Sequence, residues 1–599
     1  MESVDLLVSR WLELDRNAAT RAEILGLVAQ KDHIRLHALL ANPLQFGTAG
    51  TLANAGLRAE MGAGFARMNE LTVIQASQGI CARLMRDPHP AMSIVVGHDH
   101  RHNSVQFAQL TAAVFLAKNI RVHYFPAHVH TPLVPFAVTH FGAACGIMIT
   151  ASHNPKKDNG YKVYWQNGCQ IIPPLDSEIA QCISDNQIPW TWDYNLVSTS
   201  PLVSDPTTEA TNSYFAKVKA LSVFGSANQS QHVKFAYTPM HGVGLLFAQK
   251  AFSILGLHDF YPVPEQMHPD PEFPTVAYPN PEEGQGALAL AQICADRNSA
   301  SVIFANDPDA DRLAVAEKVD GEWRIFNGNQ IGIILASFAL DRTKKMHNGF
   351  YFSNLGVIPS NTAVLNTTVS SHMLQAMAED ENITFEETLT GFKWLGNRTL
   401  QLRYQGKDVI FAYEEAIGFM VGDFVADKDG VSAMAVFAEW TNYLYSTEKT
   451  LSSHLTSLYE KYGFWVSNNG YFICHDPATI KLIFNKIRHG SNGPEKTLQY
   501  PSTIGGSKVV SIRDLTAGFD SSTTDNKPTL PTSSSSQMIT FTLENSCVIT
   551  LRTSGTEPKI KYYTEFKGNS LEQATASLAK VVAGMIEELL QPKQNSLIN

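Results

Sequence analysis

Short apolar runs of strand length alternate with helix-like segments along most of the chain, and this alternation limits the possible folds more than any other feature. Residues 93–97 are strand-like, 104–117 have the spacing of a helix, and 122–125 are strand-like again. The same alternation recurs between residues 234 and 305 and again before residue 408. Strands followed by helices build layered domains with buried sheets, so the pattern predicts several α/β domains.

The length of 599 residues suggests three to five domains, because a domain usually has about 100–200 residues. Breaks are expected at the Pro-containing stretch 198–208, near the Gly-Asn-Gln turn at residue 328 and in the Ser/Thr-rich region 446–454. The low-complexity segment 521–536 is predicted to be a flexible loop inside the last domain. Residues 1–40 are predicted to form amphipathic helix.

The charge balance argues against a nucleic acid or an anionic membrane as the main partner. Lys plus Arg number 46 and Asp plus Glu number 56, which gives a net charge of −10. The sequence contains no apolar run of 18 residues, and its N-terminus lacks the profile of a signal peptide. The seven cysteines are scattered, and none are in Cys-x-x-Cys spacing. A cytoplasmic protein without disulfides is therefore expected.

A serine follows the buried run that ends at residue 149, in the motif Thr-Ala-Ser-His-Asn-Pro. Ser152 at such a turn is a candidate nucleophile, and His153 and Lys162 are candidates for the proton transfer that a hydroxyl nucleophile needs. An ordinary Ser/Asn turn is the alternative. A second motif, Asn-Asp-Pro-Asp-Ala-Asp-Arg, follows the buried run 301–305. Its three carboxylates can converge on a hard cation such as Mg²⁺, unless they form a solvated acidic turn.

Two further motifs contain side chains suited to binding a sugar and a phosphate. The acidic pair in 413–418 could accept hydrogen bonds from sugar hydroxyls, or could be a solvated helix start. The motif Arg-Thr-Ser-Gly-Thr-Glu-Pro-Lys at 552–559 offers hydroxyls, backbone N–H groups and two cations to a phosphate, or is a simple turn. A nucleophile, a metal site, sugar acceptors and a phosphate clamp together are what phosphoryl transfer on a sugar phosphate needs.

The four motifs, in this order, resemble the α-D-phosphohexomutase superfamily over roughly residues 40–590. The segments 273–284 and 386–394 give a closer resemblance to the eukaryotic phosphoglucomutase-2 type, the phosphopentomutases. The resemblance implies three similar mixed α/β domains and a C-terminal phosphate-binding α+β domain around a central cleft. The expected domains span residues 1–200 (with a helical extension over 1–40), 206–325, 326–448 and 455–599.

The resemblance also implies a mechanism. Ser152 would carry a phosphoryl group and share Mg²⁺ with the carboxylates of Asp307, Asp309 and Asp311. The group would pass to a sugar monophosphate, and the resulting bisphosphate would turn and return its other phosphate to the serine. Lys162 would be the general base, and His153, beside the nucleophile, and Arg58 would also take part in catalysis. The substrate would contact Arg58, Asp311, Arg312, Thr390, Lys393, Glu414, Ala416 and Lys428. Its other phosphate would contact Arg552, Ser554, Gly555, Thr556 and Lys559.

Two departures from the family pattern stand out. Hexose-phosphate mutases typically have serine where this chain has Ala416, which weakens the case for a hexose and fits the pentose branch. Six additional residues, 51–56, separate the first family motif from Arg58 and put the role of that arginine in doubt.

The expected activity is interconversion of ribose or deoxyribose 1- and 5-phosphates, with weaker phosphoglucomutase activity. Glucose 1,6-bisphosphate or a pentose bisphosphate would prime the enzyme, which is expected to be a monomer acting on small sugar phosphates. The alternatives are a glucose-1,6-bisphosphate synthase using 1,3-bisphosphoglycerate and a weakly catalytic sugar-phosphate-binding protein. A simple phosphatase fits less well, because no second metal cluster or water-activating base is evident.

Overall fold

The computed structural model describes residues 3–47, 56–87, 92–283, 286–347, 358–490, 497–554 and 558–598. Two compact units divide the chain. Residues up to 362 together with 392–452 form the first unit, and 363–391 together with 453–598 form the second. The four predicted domain ranges stay a prediction.

The N-terminal extension is helical, as expected for residues 1–40, and it is divided into three helices. These are α1 Val4–Leu14, α2 Ala18–Ala29 and α3 His33–Leu40. The side chains of Asn17 and Asp32 accept hydrogen bonds from backbone N–H groups of the following turn, so each starts a new helix. Trp11 packs edge-on against Phe65 and joins the extension to the body of the first unit.

The first sheet carries the serine motif. Its strands lie in the order β1-β5-β4-β2-β3-β6, with β2 parallel to β3 and β4, and with β5 antiparallel to β1 and β4. The elements are β1 Gly56–Glu60, α4 Glu70–Arg86, β2 Ser93–His98, α5 Ser104–Leu116, β3 Arg121–Tyr124, α6 Leu133–Phe141, β4 Cys145–Ile149, β5 Asp158–Trp165, α7 Leu175–Asp185, α8 Leu196–Thr199 and β6 Val203–Ser204.

The second sheet carries the acidic motif at the end of a buried strand, as predicted. Its order is β11-β10-β9-β7-β8, with β7 parallel to β8 and β9. The elements are α9 Thr207–Ala220, β7 Phe235–Thr238, α10 Leu245–Ile254, β8 Phe260–Pro262, α11 Ala289–Asn298, β9 Val302–Ala305, β10 Ala314–Val319 and β11 Glu322–Ile325.

The boundary between the two units passes through the third α/β segment. Strands β12 and β13 pair in parallel, and β14 pairs antiparallel with β15. The elements are α12 Gly328–His347, β12 Thr362–Thr367, α13 Met373–Asp380, β13 Thr384–Thr388, α14 Phe392–Tyr404, β14 Asp408–Glu414, β15 Gly418–Val421 and α15 Gly430–Ser446.

The C-terminal segment is built on an antiparallel sheet in the order β16-β22-β21-β20-β18-β17, with β19 paired to β18. Its elements are α16 Leu451–Tyr462, β16 Phe464–Ile473, α17 Pro477–His489, β17 Thr503–Ile504, β18 Ser507–Asp514, β19 Phe519–Asp520, β20 Met538–Leu543, β21 Val548–Thr553, β22 Lys559–Gly568 and α18 Leu571–Met585. The low-complexity segment lies between β19 and β20.

The cores explain why these elements form. Apolar side chains of the strands and of α4 and α5 make one continuous cluster in the first sheet's domain, and α17 and α18 pack on the last sheet in another. All seven cysteines are buried and unpaired. None of the helices in the described part of the chain combines the length and the apolar character needed to cross a bilayer.

Candidate active site

The nucleophile candidate lies in the tight loop between β4 and β5. Ser152 is 3% exposed and has a left-handed backbone, with φ +55°. Its hydroxyl donates to Oδ2 of Asp307 at 2.9 Å, and Nδ1 of His153 lies 3.3 Å from the serine Oγ. A left-handed conformation in a non-glycine residue is strained and is common where a side chain must be aimed. The loop therefore directs the serine hydroxyl at the acidic motif.

Arg58 reaches this loop despite the additional residues before it. In the pairing of β1 with β5, Gly56 stands opposite Lys162 and Arg58 opposite Gly160. Nη1 of Arg58 donates to Oδ1 of Asn154 at 3.3 Å, and burial lowers the pKa of the guanidinium to about 10. Residues 51–55 lie outside the described residues. Gly56 is the first residue of β1, so the strand register itself directs Arg58 to the serine loop.

The three carboxylates of the acidic motif form a candidate metal centre. Each of Asp307, Asp309 and Asp311 offers one oxygen, and these oxygens lie within 4.8 Å of one another in a buried position. Oδ1 of Asp309 and Oδ1 of Asp311 are buried and have no hydrogen-bond partner among the described residues. Burial and the two neighbouring carboxylates raise the pKa of Asp307. Converging, unpaired carboxylate oxygens fit a hard divalent cation.

Two buried lysines face the carboxylates. Nζ of Lys162 donates to Oδ2 of Asp309 at 2.7 Å and to Oδ2 of Asp311 at 2.8 Å, and Nζ of Lys428 lies 3.5 Å from the latter oxygen. Burial lowers the pKa of Lys162, but the two carboxylates raise it, and the net shift is upward. Lys162 is desolvated, as a general base requires, yet this arrangement holds it in its protonated form.

His153 and Arg312 flank the same centre. Burial, followed by the charges of Arg312 and Arg58, lowers the pKa of His153 well below its usual value, so its ring is neutral. The backbone N–H of Arg312 donates to Oδ1 of Asp307 at 3.0 Å, and Nη1 donates to Glu282 at 2.8 Å. A neutral imidazole beside a hydroxyl can accept a proton.

The third loop, between β14 and β15, lies against the acidic motif. The N–H of Leu313 donates to the carbonyl of Ile417, which has φ +50°. A side chain at Gly418 would place its Cβ 2.4 Å from Cδ of Lys428, so glycine leaves room for that lysine. Glu414 is buried, which raises its pKa, and Ala416 on the turn is half-buried.

Lys393 is the second residue of helix α14 in the first unit. It is 3% exposed, and burial lowers its pKa to about 8, although Asp176 acts in the opposite direction. A lysine with this pKa is still mostly protonated near neutral pH, and a bound anion would raise its pKa again.

The second unit contains the remaining predicted residues. Thr390 is buried, and its hydroxyl has no hydrogen-bond partner among the described residues. Arg552 at the end of β21 donates from Nη2 to the hydroxyl of Tyr563 at 2.7 Å, while its buried Nε is also without a partner there. The N–H of Ser554 donates to the carbonyl of Lys559 at 2.8 Å. Gly555 and Thr556 lie outside the described residues.

Sequence reasoning missed several polar residues that hold the site. Arg101 binds the serine loop, and Gln170 donates to Asp427 at 2.7 Å, next to Lys428. The signal for Arg101 was present in the sequence. It follows β2, and the neighbouring parallel strand β4 ends at the serine motif, so their carboxyl ends meet at one edge of the sheet.

Comparisons with known proteins agree with this geometry. The domains described as phosphoglucomutase/phosphomannomutase, alpha/beta/alpha domains I, II and III match residues 49–188, 212–321 and 327–462. Human phosphopentomutase is 46% identical, over 99% of this chain and 97% of its own length. Human glucose 1,6-bisphosphate synthase is 44% identical, over 99% and 96%.

A solved structure shares the fold. The crystal structure of a putative phosphomannomutase from Thermus thermophilus superposes with a TM-score of 0.64 at 19% identity, over 91% of this chain and 99% of that chain. The three matched domains and the full-length relatives settle the membership. The chain belongs to the phosphoglucomutase/phosphomannomutase family, which its motifs indicated as the α-D-phosphohexomutase superfamily.

Proposed function

We propose that this enzyme is a phosphopentomutase, which interconverts the 1- and 5-phosphates of ribose or deoxyribose and acts more weakly on glucose phosphates. The observation that carries the proposal is the hydrogen bond from the Ser152 hydroxyl to Asp307 in the carboxylate cluster, which supports a role for this serine as the nucleophile. The similarity to a phosphopentomutase over nearly the whole chain supports the pentose substrate. Half-buried Ala416, in place of a hydroxyl, supports it further.

The proposed reaction uses two transfers in opposite directions. The bond from phosphorus to the Ser152 oxygen breaks while a bond to the free sugar hydroxyl forms, and the second transfer reverses this with the other phosphate of the bisphosphate. Mg²⁺, held by Asp307, Asp309 and Asp311, would neutralise phosphoryl charge. Glucose 1,6-bisphosphate or a pentose bisphosphate would load the serine for the first time.

Protons move in step with these transfers. The serine oxygen needs a proton when its phosphoryl group leaves, and protonated Lys162 is the acid form that can supply it. The same group then takes a proton when the serine attacks, as microscopic reversibility requires. The sugar hydroxyl gives up its own proton in the first transfer, and neutral His153 would accept it and return it to the sugar oxygen from which the phosphate departs in the second transfer. Neutral His153 and charged Arg58 lie beside the serine loop and would assist proton transfer and phosphate binding respectively. Lys393, Glu414 and Lys428 would contact the sugar phosphate.

A second candidate is a glucose-1,6-bisphosphate synthase that takes its phosphoryl group from 1,3-bisphosphoglycerate. The observation that favours it is the 44% identity to a protein of that name, which is close to the identity with the phosphopentomutase. The phosphate-holding role of Arg552, Ser554 and Lys559, a cytoplasmic location and a monomeric state remain proposals.

The test compares kcat/KM for ribose 1-phosphate and glucose 1-phosphate, with Mg²⁺ and a trace of glucose 1,6-bisphosphate. We expect a clear ribose preference that Ser152→Ala abolishes. A parallel assay supplies 1,3-bisphosphoglycerate with glucose 1-phosphate. Release of bisphosphate at a rate above that of ribose phosphate conversion would overturn the mutase proposal in favour of the synthase.

A further inference from the structure

The guanidinium of Arg101 binds four main-chain carbonyls of the serine loop. Nη2 donates to the carbonyl oxygens of Ser152 at 2.7 Å and Asn154 at 2.6 Å. Nη1 donates to those of Pro155 at 2.9 Å and Asp158 at 3.3 Å. One side chain thus fixes the backbone on both sides of the turn, including the carbonyl of the nucleophile itself.

Hydrogen bonds to Asp99 fix the backbone of Arg101. Its own N–H donates to Oδ1 of Asp99 at 2.9 Å, and the same oxygen accepts from the hydroxyl of Ser104 at 2.6 Å. The N–H of Asp99 donates in turn to the carbonyl of Ile149, the last residue of β4. Asp99, which binds Arg101, is therefore itself bound to the end of β4, where the serine loop begins.

The aromatic ring of Phe273 packs against the guanidinium of Arg101. The ring centroid of Phe273 lies 5.0 Å from Cζ of Arg101, and the Phe273 and His100 rings make a T-shaped contact with centroids 5.3 Å apart. Phe273 is buried and has φ +46°, a strained conformation for a bulky residue. Surrounding structure must enforce such strain, and it commonly does so where a group has to be positioned.

We infer that Arg101 is a positioning residue for phosphoryl transfer, which acts through the backbone of Ser152 to aim its hydroxyl. The left-handed backbone of Ser152 is strained, and four hydrogen bonds from a buried planar fork supply the restraint that maintains it. Lysine cannot replace this fork, because a single ammonium nitrogen cannot reach acceptors arranged around two separate nitrogens. The inference rests on the proposed function, in which Ser152 is the nucleophile.

The test compares Arg101→Lys with Arg403→Lys in the full-length enzyme. Arg403 is a matched control, since it also binds main-chain carbonyls, those of Val409, Gly422 and Asp423. Within the described part of the chain, its side-chain hydrogen bonds go to none of the site residues named above. The readouts are kcat and KM, the single-turnover rate at which glucose 1,6-bisphosphate phosphorylates Ser152, measured by intact mass, and the thermal midpoint.

We expect Arg101→Lys to lower kcat and the phosphorylation rate together by about 10²-fold with KM changed less than about threefold, because a small misplacement of a reacting group costs that much. Arg403→Lys should keep kcat within about twofold. Equal losses in both variants, or a rise in KM alone, would overturn the inference. If Arg101→Lys does not fold, Phe273→Leu tests it: kcat should fall about tenfold at constant KM, and an unchanged kcat would contradict it.

The two proposals fail in different ways. Wild-type enzyme that converts neither ribose nor glucose phosphate would contradict the proposed function. Wild-type enzyme that is active, while Arg101→Lys phosphorylates Ser152 at the wild-type rate, would contradict only the positioning role.

Discussion

Lys162 and Asp309 form a buried ion pair, with Nζ of the lysine 2.7 Å from Oδ2 of the carboxylate. The same carboxylate belongs to the candidate metal centre. Lysine and metal ion therefore share one set of negative charges, and removing either should change the binding or the protonation of the other.

Substitution of Lys162 by methionine should separate its chemical role from its electrostatic one. We expect kcat to fall by about 10²–10⁴-fold, as for loss of a general acid–base. The affinity for Mg²⁺ should rise, because the cation no longer competes with a lysine for Asp309 and Asp311. Turnover assays and calorimetric Mg²⁺ titration measure both. Lys156→Met, an exposed lysine on the same loop, is the control, and a kcat within tenfold of wild type would contradict the role.

Asp309→Asn should weaken the metal centre without disturbing the loop, because an amide oxygen can still accept the hydrogen bond that Thr131 gives to Oδ2 at 2.6 Å. Adding Mg²⁺ should raise the thermal midpoint of wild-type enzyme, since a ligand that binds only the folded state stabilises it. In the variant this rise should be lost. Asp296→Asn, which removes an exposed carboxylate, should retain the Mg²⁺-dependent rise in the thermal midpoint. A chelator should abolish wild-type turnover, and full activity in excess chelator would exclude a metal requirement.

Ala416→Ser should shift the sugar preference toward glucose. The half-buried methyl group of Ala416 stands where hexose mutases have a hydroxyl, so serine would offer a hydrogen bond that a hexose can use. We expect the ratio of kcat/KM for glucose 1-phosphate to that for ribose 1-phosphate to rise about tenfold. Competition assays with both sugars present measure the ratio directly. An unchanged ratio would mean that another position sets the preference.

Deletion of residues 51–55 should leave activity unchanged or raise it. The N–H of Gly47 donates to the carbonyl of Gly56 at 3.1 Å, so the described residues on either side of 48–55 are in contact and a shorter connection can join them. Gly56 must remain, because it pairs with Lys162 in the strand register and has φ +141°. Deletion of 51–56 should therefore cost more kcat than deletion of 51–55. Equal and large losses in both would show that the additional residues take part in catalysis.

The contact between His372 and Glu565 should make part of the second unit sensitive to pH. Burial lowers the pKa of His372, but its 2.8 Å hydrogen bond to Glu565 raises it, and the net shift is upward. A raised folded-state pKa gives stability that is fully present below the unfolded value of about 6.5 and is lost as pH rises through the folded-state pKa.

We expect Glu565→Gln to lower hydrogen-exchange protection in α13 and β22 below about pH 6, by about 1–3 kcal/mol of opening free energy. The effect should be much smaller at a pH above the raised folded-state pKa of His372. The exposed Lys461–Asp380 pair, also in the second unit, provides the control variant, Asp380→Asn, which should not show this pH dependence. An equal effect of Glu565→Gln at both pH values would contradict the prediction.

Local patterns were sufficient for the strands and for the motifs that follow them. Ser152 and the three aspartates each lie in a short loop after a buried strand, so their placement follows from neighbouring residues. The hydrogen bonds from Arg101 to the serine loop join residues 51 or more positions apart in the sequence. Local periodicity does not reveal such a contact. The protonated state of Lys162 likewise depends on carboxylates about 150 positions away, which only the folded chain brings together.

The burial of every cysteine has a practical consequence. Thiolates are the species that react with maleimides and peroxide, and burial raises the pKa of both Cys81 and Cys547 to about 12. The native chain should therefore tolerate oxidants and accept thiol-reactive dyes slowly. A single cysteine introduced at an exposed position, such as Tyr404 on the first unit, could carry a fluorophore without removing any of the seven native thiols.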